Sequence, residues 1–144
     1  MFLGEYKHAL DEKGRLVMPR KYRDLLRDGC VVTKGQDNCL FVFAMERWVD
    51  EVARVSALPR TDRKSRNFRR AFFANASDQT LDSQGRMQVP ETLRKYANLS
   101  KDVTIVGVAD YIELWATDDW QAASAQADDI YSDIDDALGA MEGI

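Results

Sequence analysis

Two acid–base pairs recur at one spacing in this chain: Asp11 with Arg15, and Asp82 with Arg86. They sit in the phrases "LDEKGRLVMP", residues 10–19, and "LDSQGRMQVP", residues 81–90, where Leu, Asp, Gly, Arg and Pro hold the same places. Asp at the first position and Gly at the fourth favour a type I turn. The Asp carboxylate can accept backbone N–H groups two residues on, and a Gly at positive φ leads through a G1 bulge into the next strand. Asp11, Gly14, Asp82 and Gly85 are therefore expected to build two hairpin turns. The turn has no need of the arginine. One role for it is an ion pair with the Asp, which contributes little when exposed. The other is a guanidinium held at a rigid hairpin tip, within reach of phosphate or the O6/N7 edge of guanine. The roles are compatible, because the Asp can orient the guanidinium that meets DNA. Arg15 and Arg86 are the candidate DNA contacts, with Lys13 in the first tip and Gln84 taking its place in the second.

Little else is equipped for chemistry. His8 is the sole histidine, Cys30 and Cys39 are the sole cysteines, and no CxxC pair is present. A metal site is not expected, and no cofactor is implied. Carboxylates can pair as acid and base, but no nucleophile motif or phosphate loop accompanies them. No catalytic residue is assigned and an enzyme is not expected. His8 is expected on a strand near the first turn. Spacing alone leaves a Cys30–Cys39 disulfide open, but two cysteines do not make a secreted framework. A hairpin register set by Gly35–Asn38 puts Cys39 opposite Lys34 and Cys30 opposite Phe43, so reduced, partly buried thiols are expected.

The elements that must position the two turns also repeat. Each phrase ends in Pro, which suits the first turn of a helix, and "RKYRDLLRDG" and "ETLRKYANLS" follow with apolar residues at helical spacing. Gly29 reads as a helix stop. Next come "CVVTKGQDNCLFVF" and "VTIVGVADYIELW", β-rich runs on either side of turns at Gly35–Asn38 and Gly107–Asp110, the signal of a hairpin. One extra residue near Lys101 aligns Gly35 with Gly107 and Trp48 with Trp120. Each unit thus reads strand, turn, strand, short helix, strand, turn, strand, then a helix from about Trp48 or Trp120. The first trailing helix has Met45, Trp48, Val52 and Val55 on one face; the second has Ile130, Ile134, Leu138 and Met141. "RTDRKSRNFRRAFFANA" adds a helix without a counterpart. The expected fold is mixed α/β, mainly β, in a single domain of two repeats over residues 1–77 and 78–144. A unit this small buries a poor core alone, so two copies about a pseudo-twofold axis are expected to complete each other.

The net charge of −4 conceals a split. Residues 1–74 hold 16 Lys/Arg against 10 Asp/Glu, while residues 75–144 hold 4 against 14. The stretch after Trp120 has six acidic residues and no basic one. Binding follows local potential rather than whole-chain charge, so nucleic acid stays open as a partner. The basic run Arg60, Arg63, Lys64, Arg66, Arg69, Arg70 reads as a solvated helix face, or as a partner for the acidic tail of a neighbouring subunit. The start "MFLGEYKHAL" lacks the charge and apolar pattern of a signal peptide, and the expected location is cytoplasmic.

The two phrases, the start "MFLGEY" and the two Trp-ended units resemble the MraZ family over nearly the whole chain. These are bacterial transcriptional regulators related to the AbrB-like DNA-binding fold, with a DxxxR motif. The motif residues fall on Asp11 and Arg15, and on Asp82 and Arg86, with no departure in either copy. The resemblance implies a double-split β-barrel of swapped hairpins and a ring-shaped homo-oligomer. It also implies binding to direct repeats in promoter-region double-stranded DNA, repression of the division and cell wall gene cluster, and a place on the nucleoid. The alternative is an oligomeric interaction scaffold that does not touch DNA.

Overall fold

The first pass of the chain runs β1 (Phe2–Ala9), β2 (Arg15–Val17), α1 (Arg20–Arg23), β3 (Cys30–Lys34), β4 (Leu40–Ala44) and α2 (Met45–Ser56). After the unmatched α3 (Arg63–Ala74), the same order returns as β5 (Ser77–Gln79), β6 (Arg86–Gln88), α4 (Glu91–Tyr96), β7 (Asp102–Ala109), β8 (Ile112–Ala116) and α5 (Thr117–Ile130). A 3-10 turn, Tyr131–Ile134, and α6 (Asp135–Glu142) follow. The structure is a computed structural model that describes residues 1–142.

The strands exchange between the passes. Six form an antiparallel sheet in the order β1-β7-β8-β4-β3-β5, and β2 pairs with β6 in a separate two-stranded ribbon. Thus β1 of the first pass lies on β7 of the second, and β5 of the second on β3 of the first. At the centre Leu40 faces Leu114, Phe41 faces Glu113 and Val42 faces Ile112. In the ribbon Arg15 faces Gln88, Leu16 faces Met87 and Val17 faces Arg86. Both registers are self-matched under exchange of the passes, which is the pattern a twofold axis imposes. Leu16, Met18, Met87 and Val89 are fully buried. They join Leu40, Val42, Ile105, Ile112 and Leu114 in one core to which both passes contribute. The architecture is mixed α/β on an antiparallel sheet; the pairings form two sheets rather than one closed barrel.

The strand register departs from the sequence expectation at the β3–β4 hairpin. Cys30 faces Ala44 and Lys34 faces Leu40, one residue off the expected partners. The reason is the loop. Gly35 N–H donates to the Cys39 carbonyl at 2.8 Å, so the turn holds three residues, with Asp37 and Asn38 in the left-handed region at φ 61° and 62°. Both thiols are buried and free. The matching hairpin is tighter. Val108 N–H meets the Tyr111 carbonyl at 3.0 Å across Ala109 and Asp110 alone.

Gly107 is accordingly a strand residue rather than a turn residue, opposite Gly4 and Ile112. A Cβ there would lie 2.5 Å from the Phe2 carbonyl carbon and 2.6 Å from the Tyr22 hydroxyl. Two glycines at similar places do different jobs: the one-residue shift holds for Trp48 and Trp120 and for β4 against β8, but not for β3 against β7. Ala44 pairs with Cys30 and its counterpart Ala116 with Val103, so β7 gains two residues over β3 before the shorter turn removes one.

The helices differ in detail. Pro19 and Pro90 sit at the N-caps, one residue ahead of the first turn. Gly29, at φ 109°, ends the turns after α1. The trailing helices begin at Met45 and Thr117, three residues before each Trp. The second does not continue as one amphipathic rod, because the 3-10 turn interrupts it. Ile130, Ile134, Leu138 and Met141 are all exposed, so no core selects a continuous helical face. The unmatched α3 is capped by Asp62, whose carboxylate accepts from Ser65 N–H at 3.0 Å. Its Phe72 is buried against Trp48, and the Thr33 hydroxyl donates to the Phe72 carbonyl at 2.6 Å. Arg69 donates to the Ser56 and Leu58 carbonyls at the end of α2, so part of the basic run holds the fold.

Candidate nucleic-acid interface

The two turns fold alike. Asp11 Oδ1 accepts from the backbone N–H groups of Lys13 and Arg15, both at 2.9 Å, and Oδ2 accepts from Arg15 Nε at 2.7 Å. Asp82 repeats this with Gln84, Arg86 and Arg86 Nε at 2.9, 2.9 and 2.7 Å. Gly14 and Gly85 both take φ 76°, where a side chain is strained. The backbone N–H of each Arg, followed by its guanidinium and one further N–H, stabilises the charged carboxylate and lowers the pKa of Asp11 and of Asp82. The carboxylate thus takes Nε and leaves the Nη fork of each arginine without a protein acceptor among the described residues. That fork suits bidentate bonding to guanine O6 and N7 or to phosphate.

The ribbon brings the two turns together. Leu16 and Met87 point inward and are fully buried, so alternation turns Arg15, Val17, Arg86 and Gln88 outward. Arg15 and Arg86 are diagonal neighbours in this register, a relation that spans about 7–8 Å. The two copies of the motif therefore form one face rather than two separate tips. Lys13 and Gln84 are exposed in the turns at either end.

Three residues of this face escaped the sequence reading. Arg23 of α1 donates from Nε to the Met18 carbonyl at 3.0 Å and lies across Gly85 of the other pass. Arg94 of α4 donates from Nη1 to the Val89 carbonyl at 2.7 Å and lies across Gly14. A Cβ on Gly14 would fall 1.8 Å from Arg94 Nη1, and one on Gly85 would fall 2.3 Å from Arg23 Nε. Each arginine thus covers the turn of the opposite half. Their spacing was visible, since both follow the phrase's Pro by four residues, but their targets are set by the strand exchange. Gln88 donates from Nε2 to the Lys13 carbonyl at 2.7 Å, and its backbone is bonded twice by the Gln79 amide. It ties the second strand of the ribbon to the first turn.

Five cations (Lys13, Arg15, Arg23, Arg86, Arg94) gather here against Asp11, Glu12 and Asp82, so the face is basic in a chain of net charge −4. His8 lies beside it, with its pKa lowered by burial and then by repulsion from Arg23. Among the described residues no group of His, Cys, Asp and Glu is placed to hold a metal ion. The arrangement has donors for an anionic, guanine-bearing surface.

The MraZ family profile, described as "MraZ protein, putative antitoxin-like", matches the chain twice, over residues 1–71 and 72–138. A protein of Halothermothrix orenii named "Transcriptional regulator MraZ" is 43% identical over 144 residues, covering 100% of this chain and 99% of its own. One of Lactiplantibacillus plantarum with the same name is 44% identical over 138 residues, covering 96% and 98%.

Proposed function

The chain belongs to the MraZ family, and on that footing we propose that it is a DNA-binding transcriptional regulator that reads its operator with the β2–β6 ribbon. The observation that carries this is the pair of carboxylate-held arginines turned outward side by side. A two-stranded ribbon is of a size that enters the major groove, where arginine forks bond guanine. In this reading Arg15 and Arg86 read bases. Lys13, Gln84, Arg23 and Arg94 flank them and meet phosphate or sugar, which fixes orientation without carrying sequence information. Asp11, Gly14, Asp82 and Gly85 hold the turns.

The reading extends to the whole chain. Residues 1–77 and 78–144 act as two repeats of one domain, and the six-stranded sheet and ribbon are the two sides of a double-split barrel. Copies join head to tail into a closed ring. The ring aligns several ribbons along direct repeats, and linked weak sites gain affinity through effective concentration. The target implied by the family resemblance is the promoter region of the division and cell wall cluster, with repression as the outcome, in the cytoplasm on the nucleoid. No enzymatic step is involved. Among the described residues no helix is long and apolar enough to cross a membrane.

The test is a titration of labelled DNA from upstream of the protein's own gene, beside a scrambled duplex of equal length. Saturable binding to the first, and binding at least a thousandfold weaker to the second, is expected for a specific regulator. Equal binding to both would leave a non-specific DNA binder, and no binding would favour a scaffold.

A further inference from the structure

The acidic tail and the basic helix α3 have no part in the ribbon. Ile130, Ile134, Leu138 and Met141 recur at helical spacing along the tail and are between 46% and 71% exposed. Asp128, Asp129 and Asp133 accompany them, and no basic residue follows Lys101 in the chain. The tail, broken by its 3-10 turn, is both apolar and anionic, and nothing on its own segment neutralises it.

A matching receptor lies mainly in the first half, completed by Tyr96 of the second. A pocket of about 280 Å³ opens between α2, α3 and the β3–β4 turn, floored by Phe41, Phe68, Phe72 and Tyr96 and rimmed by Lys34 and by Arg54, the latter already bonded to the Glu51 carboxylate. The Tyr96 hydroxyl donates to the Gly35 carbonyl at 2.6 Å, and Lys34 Nζ stands 4.9 Å from the Tyr96 ring centroid. Lys64 lies one helical turn before Phe68 and is exposed. Among the described residues, neither Lys34 nor any cation of α3 has a carboxylate within 4 Å. The aromatic floor suits aliphatic side chains and the free cations suit aspartates. A second pocket, of about 400 Å³ beside Met1 and Leu25, carries Glu46, Asp50 and Asp110 against one cation, Arg47, which is already paired with the two aspartates, and it would repel an acidic tail.

We propose that the acidic tail of one copy docks in the aromatic, cation-rimmed pocket between α2 and α3 of a neighbouring copy, with its exposed aliphatic residues on the phenylalanines and its aspartates on Lys34 and Lys64. The proposal rests on the assembly put forward above and names the contact that closes it. It gives both the unmatched helix and the unmatched charge a use: α3 exists only in the first half, the tail only in the second, and a head-to-tail contact needs one of each.

The test uses full-length chains and sizing by light scattering, with circular dichroism as a check on folding. A pocket-reversed chain (Lys34→Glu with Lys64→Glu) and a tail-reversed chain (Asp129→Lys with Asp133→Lys) are each expected to assemble at least tenfold more weakly than wild type. Mixed together they are expected to regain a mixed oligomer, because each then offers what the other lacks. That recovery also shows that both variants fold. Removal of residues 128–144 is expected to weaken assembly likewise. If the shortened chain assembles as wild type does, the tail contact is wrong while the ring stands. If wild type is a monomer, both fall. Should the two reversals restore assembly only when placed in one chain, the tail occupies its own pocket and the neighbouring-copy contact is wrong. Should they reduce DNA binding but not assembly, α3 serves nucleic acid and the proposal is equally overturned.

Discussion

At the scale of single residues, the arginines of the motif separate turn chemistry from recognition. The carboxylate of Asp11 is satisfied chiefly by backbone N–H groups, which remain when the Arg15 side chain is cut away. Arg15→Ala and Arg86→Ala should therefore keep the fold and lose DNA. A bidentate guanine contact is worth about 1–3 kcal/mol of discrimination, so each variant should bind the operator roughly ten- to a hundredfold more weakly. Arg15→Lys keeps the charge but not the fork; it should retain non-specific binding and lose the preference for the operator. Operator and scrambled-duplex titrations with circular dichroism measure both, and wild-type affinity in the alanine variants would reduce the arginines to turn staples. Lys13 is exposed and has only its backbone in the turn bond network. If it meets phosphate, Lys13→Ala should weaken binding to all sequences alike and lower the slope of log K against log salt by about one.

At the scale of elements, the exchanged strand β1 depends on a glycine. Gly107 lets β7 run under Phe2 and Leu3, with the Tyr22 hydroxyl donating to the Leu3 carbonyl at 2.6 Å beside it. Gly107→Ala leaves φ unstrained but forces backbone against backbone. Overpacking of this kind costs about 1–3 kcal/mol, and a loss of unfolding free energy of that size, read as a lower urea midpoint at unchanged slope, is the expected result; an unchanged midpoint would mean that β1 yields freely. The hairpin β3–β4 makes a chemical prediction. Burial pushes the Cys30 thiol up to about 11, and burial, with Glu113 and Asp37 nearby, pushes Cys39 further up. The thiolate is the reactive form, so neither cysteine of native protein should react with a thiol reagent at pH 7 on a timescale of minutes. Both should react once the chain is unfolded without reductant, and a missing pair of thiols would reveal a disulfide.

At the scale of the whole molecule, stability should fall as pH falls, in two windows. His8 has a folded pKa below its ordinary 6.5, so its contribution is complete above pH 6.5 and is lost as pH drops through that value toward the folded one. Asp11 and Asp82 have folded values below 3.8, so theirs is present above 3.8 and lost as pH falls through the folded values. Glu113 acts in the opposite sense. Burial raises its folded pKa above 4.5, so its contribution is present below 4.5 and declines as pH rises through the folded value. Urea midpoints across the acid range should show the loss in wild type and a shallower loss in Asp11→Asn with Asp82→Asn. An equally steep profile in that variant would place the acid sensitivity elsewhere.

Much of this molecule is legible one turn at a time. The Asp-x-x-Gly-Arg phrases specify their own turns because every bond to the Asp carboxylates joins residues at most four apart, and the helix, hairpin and trailing-helix order follows from local period in the same way. The split of charge between the halves is likewise a property of the chain. What the sequence does not carry is which strand lies beside which. The pairing of Leu16 with Met87 joins residues 71 apart, and it forms because two half-cores that cannot bury themselves bury each other. That exchange sets Arg15 beside Arg86, lays Arg23 and Arg94 across the opposite glycines, and makes Gly107 a point of backbone contact rather than a turn. The motif and its turns are thus local chemistry, while the surface they make is decided by burial between distant parts of the chain.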